Sequence, residues 1–417
     1  MDTIMRALGL MENNQNEEAI ELLEQYIPTA NEEEKYTIAE LFIQWGLLNE
    51  AKEILQDLLQ NYPDESDLKI MLADIYIEQE NDEEAINLLG NIAEDDEAYT
   101  QALIQLADLY QAQGLHEVAE QKLLLAKNKN PNEIIIDFAL GELYFFIGES
   151  NKSITHYEKV AQQTNEVASI SIYERLAEAY ASVGEYEAAL NYYQKEDHEN
   201  VDTLFKYGIT AFQANRKDIA IHVWEKVIEQ DSYYHTAYFQ LAKAYEEEEL
   251  IQEAFDTSQK GIKVDEFNKE LYFYTGKLAH KLGHDVESES FVRQAIALDV
   301  DYKEAVLFLI ELLKEKEKHE EIVELVLETK RTGADDPIYE WEVARAYNEI
   351  ESFKDALNHY KEAYNSLQHD SDFLKEYGYF LVEEGRKKEA TQVFDEYLAL
   401  QPLDETIREY VERLRQL

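Results

Sequence analysis

The sequence predicts an all-α protein made of stacked helical hairpins, and three observations lead there. The first is a small residue that recurs along the chain: Ala19, Ala51, Ala85, Ala119, Ser153, Ala189, Ala220, Ala254, Ser288, Ile322, Ala356 and Ala390. Eight of the eleven steps are 34 residues, and a fixed period of this size marks a solenoid. The second is another small position twelve residues earlier: Ala7, Ala39, Ala73, Ala107, Gly141, Ala177, Gly208, Ala242, Gly276, Ile310, Ala344 and Gly378. A large residue follows it by three, tyrosine in six repeats. The third is the scarcity of glycine (14) and proline (5) in 417 residues, which favours helix.

The spacings i, i+3 and i+4 put these side chains on one helical face. The fourth repeat reads as helix over ALIQLADLYQAQ, a turn at Gly114, helix over EVAEQKLLLAKN and a stop at Pro131. Two antiparallel helices with axes ~8–10 Å apart need small residues where they cross. A large side chain at Ala119 would overpack that crossing by roughly 1–3 kcal/mol. Emptying Leu106 would cost roughly 2–5 kcal/mol. Repeat 10 puts Ile310 and Ile322 at the two small positions, so its helices are expected further apart.

Around Ala189 the steps become 36 and 31 residues. Glu196 falls where helix packing wants an apolar residue, so the second helix of repeat 6 is expected to end early. The stretch Asp197–Val201 then reads either as an irregular loop or as a joint between two stacks of six repeats. The expected segments are 1–200, 201–403 and 404–417. In the last, DETIREYVERLRQL places Ile407, Tyr410, Val411, Leu414 and Leu417 on one stripe, as a capping helix requires.

The net charge is −51, divided as −31 over residues 1–200 and −20 over 201–417. Such a field disfavours nucleic acid and an anionic membrane surface, and it suits basic partners. There is no cysteine, hence no thiol nucleophile, disulfide or Cys-ligated zinc. No basic-then-apolar leader opens the chain, and no run of ~18 apolar residues occurs. A cytoplasmic protein with no membrane insertion is expected. GxGxxG, GxxxxGK[ST], HExxH and GxSxG are all missing. His280 and His284 have the spacing of a metal pair, but Gly283 places a turn between them. The repeats run from residue 1 into the cap. No catalytic residues, metal or cofactor are expected, and the chain is not expected to be an enzyme.

The pattern resembles the tetratricopeptide repeat (TPR). On that register the small residues hold repeat positions 8 and 20 and tyrosine holds 11. Leu55, Leu89, Leu123, Tyr157, Tyr193, Trp224, Tyr360 and Phe394 hold position 24; Pro63, Pro131 and Pro402 hold 32. The tryptophan favoured at position 4 is missing. The stretches EEAIELLEQYI, TIAELFIQWG and LLQNYPDES resemble Firmicute cytoplasmic TPR proteins of the YpiA type. The resemblance implies a right-handed alpha-alpha superhelix of about twelve helix-turn-helix repeats. It also implies a concave groove lined by positions 2, 5, 9, 12 and 13 of the first helices.

Position 9 carries Glu40, Asp74, Asp108, Glu142 and Glu178 in repeats 2–6, then Ile209, Lys243, Lys277, Glu311, Arg345 and Tyr379. Five carboxylates in a row suggest an N-terminal groove that takes a basic segment. Beyond it Lys206, Lys243, Lys277, Lys281 and Arg345 offer cations. Phe138, Phe145, Phe205, Phe212, Phe239 and Phe273 offer apolar anchors at positions 5 and 12. The family's chaperone-tail clamp, Lys at 5 with Asn at 9, is not present. The expected function is a scaffold or adaptor that holds protein or peptide partners in this groove. The alternative is a peptide receptor that changes superhelical pitch on binding, with the 197–201 stretch as its joint. A hydrolase using groove carboxylates is a third reading.

Overall fold

The 34-residue period becomes twelve helical hairpins in the computed structural model, which describes residues 2–196, 199–334 and 336–416. The chain divides into two units, Met1–Asp197 and His198–Leu417. Unit 1 pairs Asp2–Glu12 with Asn16–Tyr26, Glu32–Gln44 with Leu48–Asn61, and Ser66–Glu78 with Asp82–Gly90. It continues with Tyr99–Ala112 and His116–Lys129, Ile134–Phe146 and Ser150–Ala161, and Ile172–Ser182 and Tyr186–Tyr193. Unit 2 pairs Val201–Gln213 with Lys217–Gln230, His235–Glu247 with Ile251–Val264, and Lys269–Lys281 with Asp285–Leu298. Lys303–Glu315 with His319–Arg331, Pro337–Glu349 with Phe353–Leu367, and Ser371–Glu383 with Lys387–Leu400 complete it. A final helix, Glu405–Gln416, buries Ile407, Val411 and Leu414 against the last repeat and caps unit 2. The fold is all-α and of the TPR solenoid type.

The core follows the small-residue register. Every alanine and serine at position 20 is fully buried. Position 8 differs in detail from the sequence expectation of bare helix approach. Its notch receives the side chain at position 24. A Cβ on Gly208 would lie 2.2 Å from the Trp224 ring, and one on Gly141 would lie 2.5 Å from Tyr157. Glycine thus makes room for the rings of Tyr157, Trp224 and Phe394, whereas Ala177 and Ala344 stand opposite Tyr193 and Tyr360, and Leu55, Leu89 and Leu123 also stand opposite alanine. In repeat 10, Ile310 faces the smaller Val326, and its two helices pack least closely of the twelve pairs.

Each hairpin turns on one residue with positive φ, at repeat position 15. It is glycine in six repeats and asparagine in two (Asn14, Asn215), but glutamate in Glu80, Glu249, Glu317 and Glu351. The long step into repeat 6 is a two-residue-strand hairpin, Glu166–Val167 against Ile170–Ser171. Its tip holds Ala168 and Ser169 at φ 49° and 64°, as a tight primed turn requires. The short step out follows from a second helix that stops at Tyr193 after eight residues. Glu196 accepts the Ser171 hydroxyl instead of packing. Asp197 and His198, where the sequence places a joint, lie outside the described residues. Among the described residues no helix is long and apolar enough to cross a membrane.

Candidate functional site

The groove residues sit on first helices, and their surroundings depend on one neighbour. Position 9 of a repeat meets position 6 of the next. Gln105 donates to Asp74 Oδ1 at 2.7 Å. Arg175 Nε donates to Glu142 Oε1 at 2.8 Å. Arg345 is bonded by two nitrogens to Glu376, with Nε at 2.8 Å from Oε1 and Nη2 at 2.5 Å from Oε2. Position 6 thus decides whether a charge at position 9 is compensated.

In unit 1 this splits the five carboxylates. Glu142 accepts from Arg175 and from the Tyr157 hydroxyl at 2.6 Å. Glu178 takes the other side of the same guanidinium at 3.1 Å. Both are half-buried and share the one guanidinium. Glu40, Asp74 and Asp108 remain exposed. The residues one period less three downstream of Glu40 and Asp108 are Met71 and Ala139, which carry no charge. Burial pushes the Asp108 carboxyl above its ordinary value. Asp74 is also raised by burial, partly offset by Gln105 and reinforced by Glu78. Exposed surface and a burial-raised carboxyl coexist here: solvent reaches the group, but protein replaces much of the surrounding water.

Unit 2 shows three environments. Arg345 lies 4.0 Å over the Trp341 ring and also donates to Glu342 at 2.9 Å. With Glu376, Tyr360 and Lys314 it lines a cavity of about 600 Å³. Its charge is taken, so it does not stand ready for a partner's acid as the sequence suggested. Lys281 is likewise held, by Glu246 at 2.6 Å. Lys243 and Lys277 instead lie 4.2 Å and 5.0 Å over Phe239 and Phe273. Phe205 and Phe212 flank Trp224, with centroids 6.3 Å and 5.8 Å away. All four of these phenylalanines are half-buried, while Phe138 is buried against Tyr157.

Sequence reasoning missed the position-6 residues Gln105, Arg175, Glu342 and Glu376. The signal was a complementary residue about 31 positions downstream. It also missed a quartet, built round a buried carboxylate, present in both units. Where repeat 4 meets repeat 5, Lys127 bonds Asp137, His156 Nδ1 lies 2.8 Å from Asp137, and the imidazole stacks on Tyr144 at 5.5 Å. Where repeat 10 meets repeat 11, Lys330 bonds Glu340, His359 Nδ1 lies 2.6 Å from Glu340, and the imidazole stacks on Tyr347 at 5.3 Å. The four residues have identical spacing in the two copies. Each Nδ1 carries the proton, because a carboxylate only accepts. Glu340, His359 and Glu362 bring possible metal ligands within 4.8 Å of one another. Lys330, 3.6 Å from Glu362 and bonded to Glu340, already fills the place of a cation.

Comparison with known proteins agrees with this architecture. A YpiA-like tetratricopeptide repeat profile matches residues 111–165, and a YpiA-like C-terminal repeat profile matches 337–404. A tetratricopeptide repeat protein 21 ARM-repeat profile matches 2–114. Mouse tetratricopeptide repeat protein 21A is 26% identical over 36% of this chain and 11% of its own length. The solved structure of YrrB, described as a TPR protein with an unusual peptide-binding site, aligns over 44% of this chain and 95% of its own. The identity is 16% and the TM-score 0.38, too loose a likeness to carry function. The TPR repeat-containing protein YpiA of Bacillus subtilis (strain 168) is 37% identical over 413 residues, 99% of this chain and 98% of that protein. Matched end to end at that identity, the chain belongs to the YpiA-like family of tetratricopeptide repeat proteins.

Proposed function

We propose that the protein is a non-enzymatic scaffold that holds other proteins along the first-helix face of its repeats. The observation that carries this reading is the split between compensated and uncompensated charge. Glu142, Glu178 and Arg345 are spent on the chain's own partners. Among the described residues no cation lies within 4.0 Å of the Glu40, Asp74 or Asp108 carboxylate. Their fields add across neighbouring helices ~10 Å apart, a distance close to the Debye length of ~8 Å in physiological salt. Unit 1 therefore suits a basic extended segment or helix, held by salt-sensitive contacts.

The reading as a peptide receptor with a joint needs residues 197 and 198, and no described feature favours it. The hydrolase reading finds Glu142 and Glu178 tied to Arg175, which suits structure rather than proton transfer. The scaffold reading is tested by affinity capture from lysate at low and high salt, with the Glu40→Lys/Asp74→Lys/Asp108→Lys protein as control. Partners that leave at high salt and are lost with the triple variant support it. If the triple variant retains every partner, the acidic face is not the docking surface.

A further inference from the structure

This inference rests on the reading that first helices hold protein segments, and it names the segment that unit 2 takes. Three cations in unit 2 lie over an aromatic ring four residues earlier on the same helix: Lys243 over Phe239, Lys277 over Phe273 and Arg345 over Trp341. At Arg345 the next repeat supplies Glu376, whose carboxylate also accepts from Trp341 Nε1 at 2.8 Å. That is a cation on a ring, closed by an anion.

At the two lysines the same place in the next repeat holds Tyr274 and Phe308. These rings meet Phe239 and Phe273 edge-on at 5.2 Å and 5.7 Å. Among the described residues no carboxylate oxygen lies within 4.0 Å of either ammonium. The nearby carboxylate, Glu246, is occupied by the Tyr274 hydroxyl at 2.5 Å and Lys281 at 2.6 Å. A ring orients an ammonium without cancelling its charge. Two similar modules thus stand one repeat apart, each with a ring in the place that Glu376 takes at Arg345, although the Glu246 carboxylate also acts on Lys277 through space.

We propose that Lys243 and Lys277 form a twin seat for an acidic, extended protein segment. Neighbouring first helices lie about 10 Å apart. A polyproline-type chain advances ~3.1 Å per residue with three residues per turn. Acidic residues three apart then share one face and match the two ammonium groups. The aromatic edges between the seats take the intervening apolar side chains.

The test uses fluorescence anisotropy on the full chain. The probe is a labelled twelve-residue alanine- and proline-rich peptide with glutamates three apart. The wild type is expected to bind it, and binding should fall as salt rises. Lys243→Gln/Lys277→Gln should weaken it about tenfold or more, since each lost contact is a charge-assisted hydrogen bond. Lys243→Arg/Lys277→Arg should keep it within about threefold, because the charge stays on the ring. No wild-type binding, or equal binding by the glutamine variant, overturns the proposal. Equally tight binding of twelve-nucleotide single-stranded RNA through the same lysines overturns it too. A lysine-containing peptide that still binds unit 1 while the acidic one does not would sink this seat and leave the scaffold reading standing. Failure of both would sink both.

Discussion

Repeats 5 and 11 have the same skeleton and opposite polarity. Both hold the buried carboxylate, the histidine and the tyrosine of a quartet whose lysine comes from the preceding repeat, at identical spacing. In both, the tyrosine at position 24 donates to a glutamate that an arginine also holds. In repeats 5–6 the glutamate is at position 9 (Glu142) and the arginine at position 6 of the next repeat (Arg175). In repeats 11–12 the arginine is at position 9 (Arg345) and the glutamate at position 6 (Glu376). The backbone fixes which positions meet; it leaves the sign of each member free, and in these two pairs the opposite signs are exchanged. A charge at position 9 alone therefore says little about what the groove attracts.

The largest expected effect breaks the shared quartet. Glu340→Gln removes a buried anion from Lys330 and His359 and should cost roughly 3 kcal/mol. Asp137→Asn should cost a similar amount through Lys127 and His156. Urea unfolding followed by circular dichroism measures both, and a loss under ~1 kcal/mol in either would mean that copy is ornamental.

Next comes the polarity swap. Arg345→Glu puts a third carboxylate beside Glu342 and Glu376 and should cost about 2–3 kcal/mol. Adding Glu376→Arg, which copies the arrangement in unit 1, should recover most of it, with a coupling of roughly 1–3 kcal/mol in a double-mutant cycle. No recovery would mean the positions are not interchangeable.

Acid sharpens the comparison further. Burial alone would raise Glu340, but its bonds to His359 and Lys330 outweigh burial and hold the carboxyl at about 2, below its ordinary 4.5. A carboxyl depressed on folding stabilises fully above its unfolded value and loses that contribution as pH falls towards the folded one. The stability gap between wild type and Glu340→Gln should thus hold from pH 7 to 5 and shrink between about 4.5 and 2. Urea midpoints across that range check it; an unchanged gap at pH 2.5 contradicts it.

The smallest effects lie at the turns and notches. Gly141 and Ala344 both face a tyrosine at position 24, but a Cβ on Gly141 would sit 2.5 Å from Tyr157. Gly141→Ala should cost about 1–2 kcal/mol by overpacking. Glu351 turns its hairpin at φ 58°, where Gly148 turns the equivalent one at 79°. Glu351→Gly should gain less than about 1 kcal/mol, and Gly148→Ala should lose about as much. Thermal unfolding of the pair distinguishes these signs.

Much of the fold was legible because a fully buried alanine at position 20 leaves few alternatives. Turns at Gly114 or Gly283 were legible for the same reason: few residue types fit. Those at Glu80, Glu249, Glu317 and Glu351 were not, because glutamate carries no preference for positive φ and its turn is imposed by the packed helices. The hairpin at Ala168–Ser169 was visible only as extra length. At the candidate site, Glu142 stood out by type and position, but Arg175 did not. Its contact depends on a period that the hairpin lengthens from 31 to 33 residues between the two groups.

The central claim is that uncompensated groove charges, and not acidic residues in general, hold partners. Isothermal titration of a twelve-residue peptide with lysine at every third position tests it, against wild type, Glu40→Gln/Asp74→Asn/Asp108→Asn and Glu142→Gln/Glu178→Gln. The account predicts about tenfold or greater weakening in the first variant and little change in the second. Equal weakening in both, or loss only with Glu142 and Glu178, would contradict it.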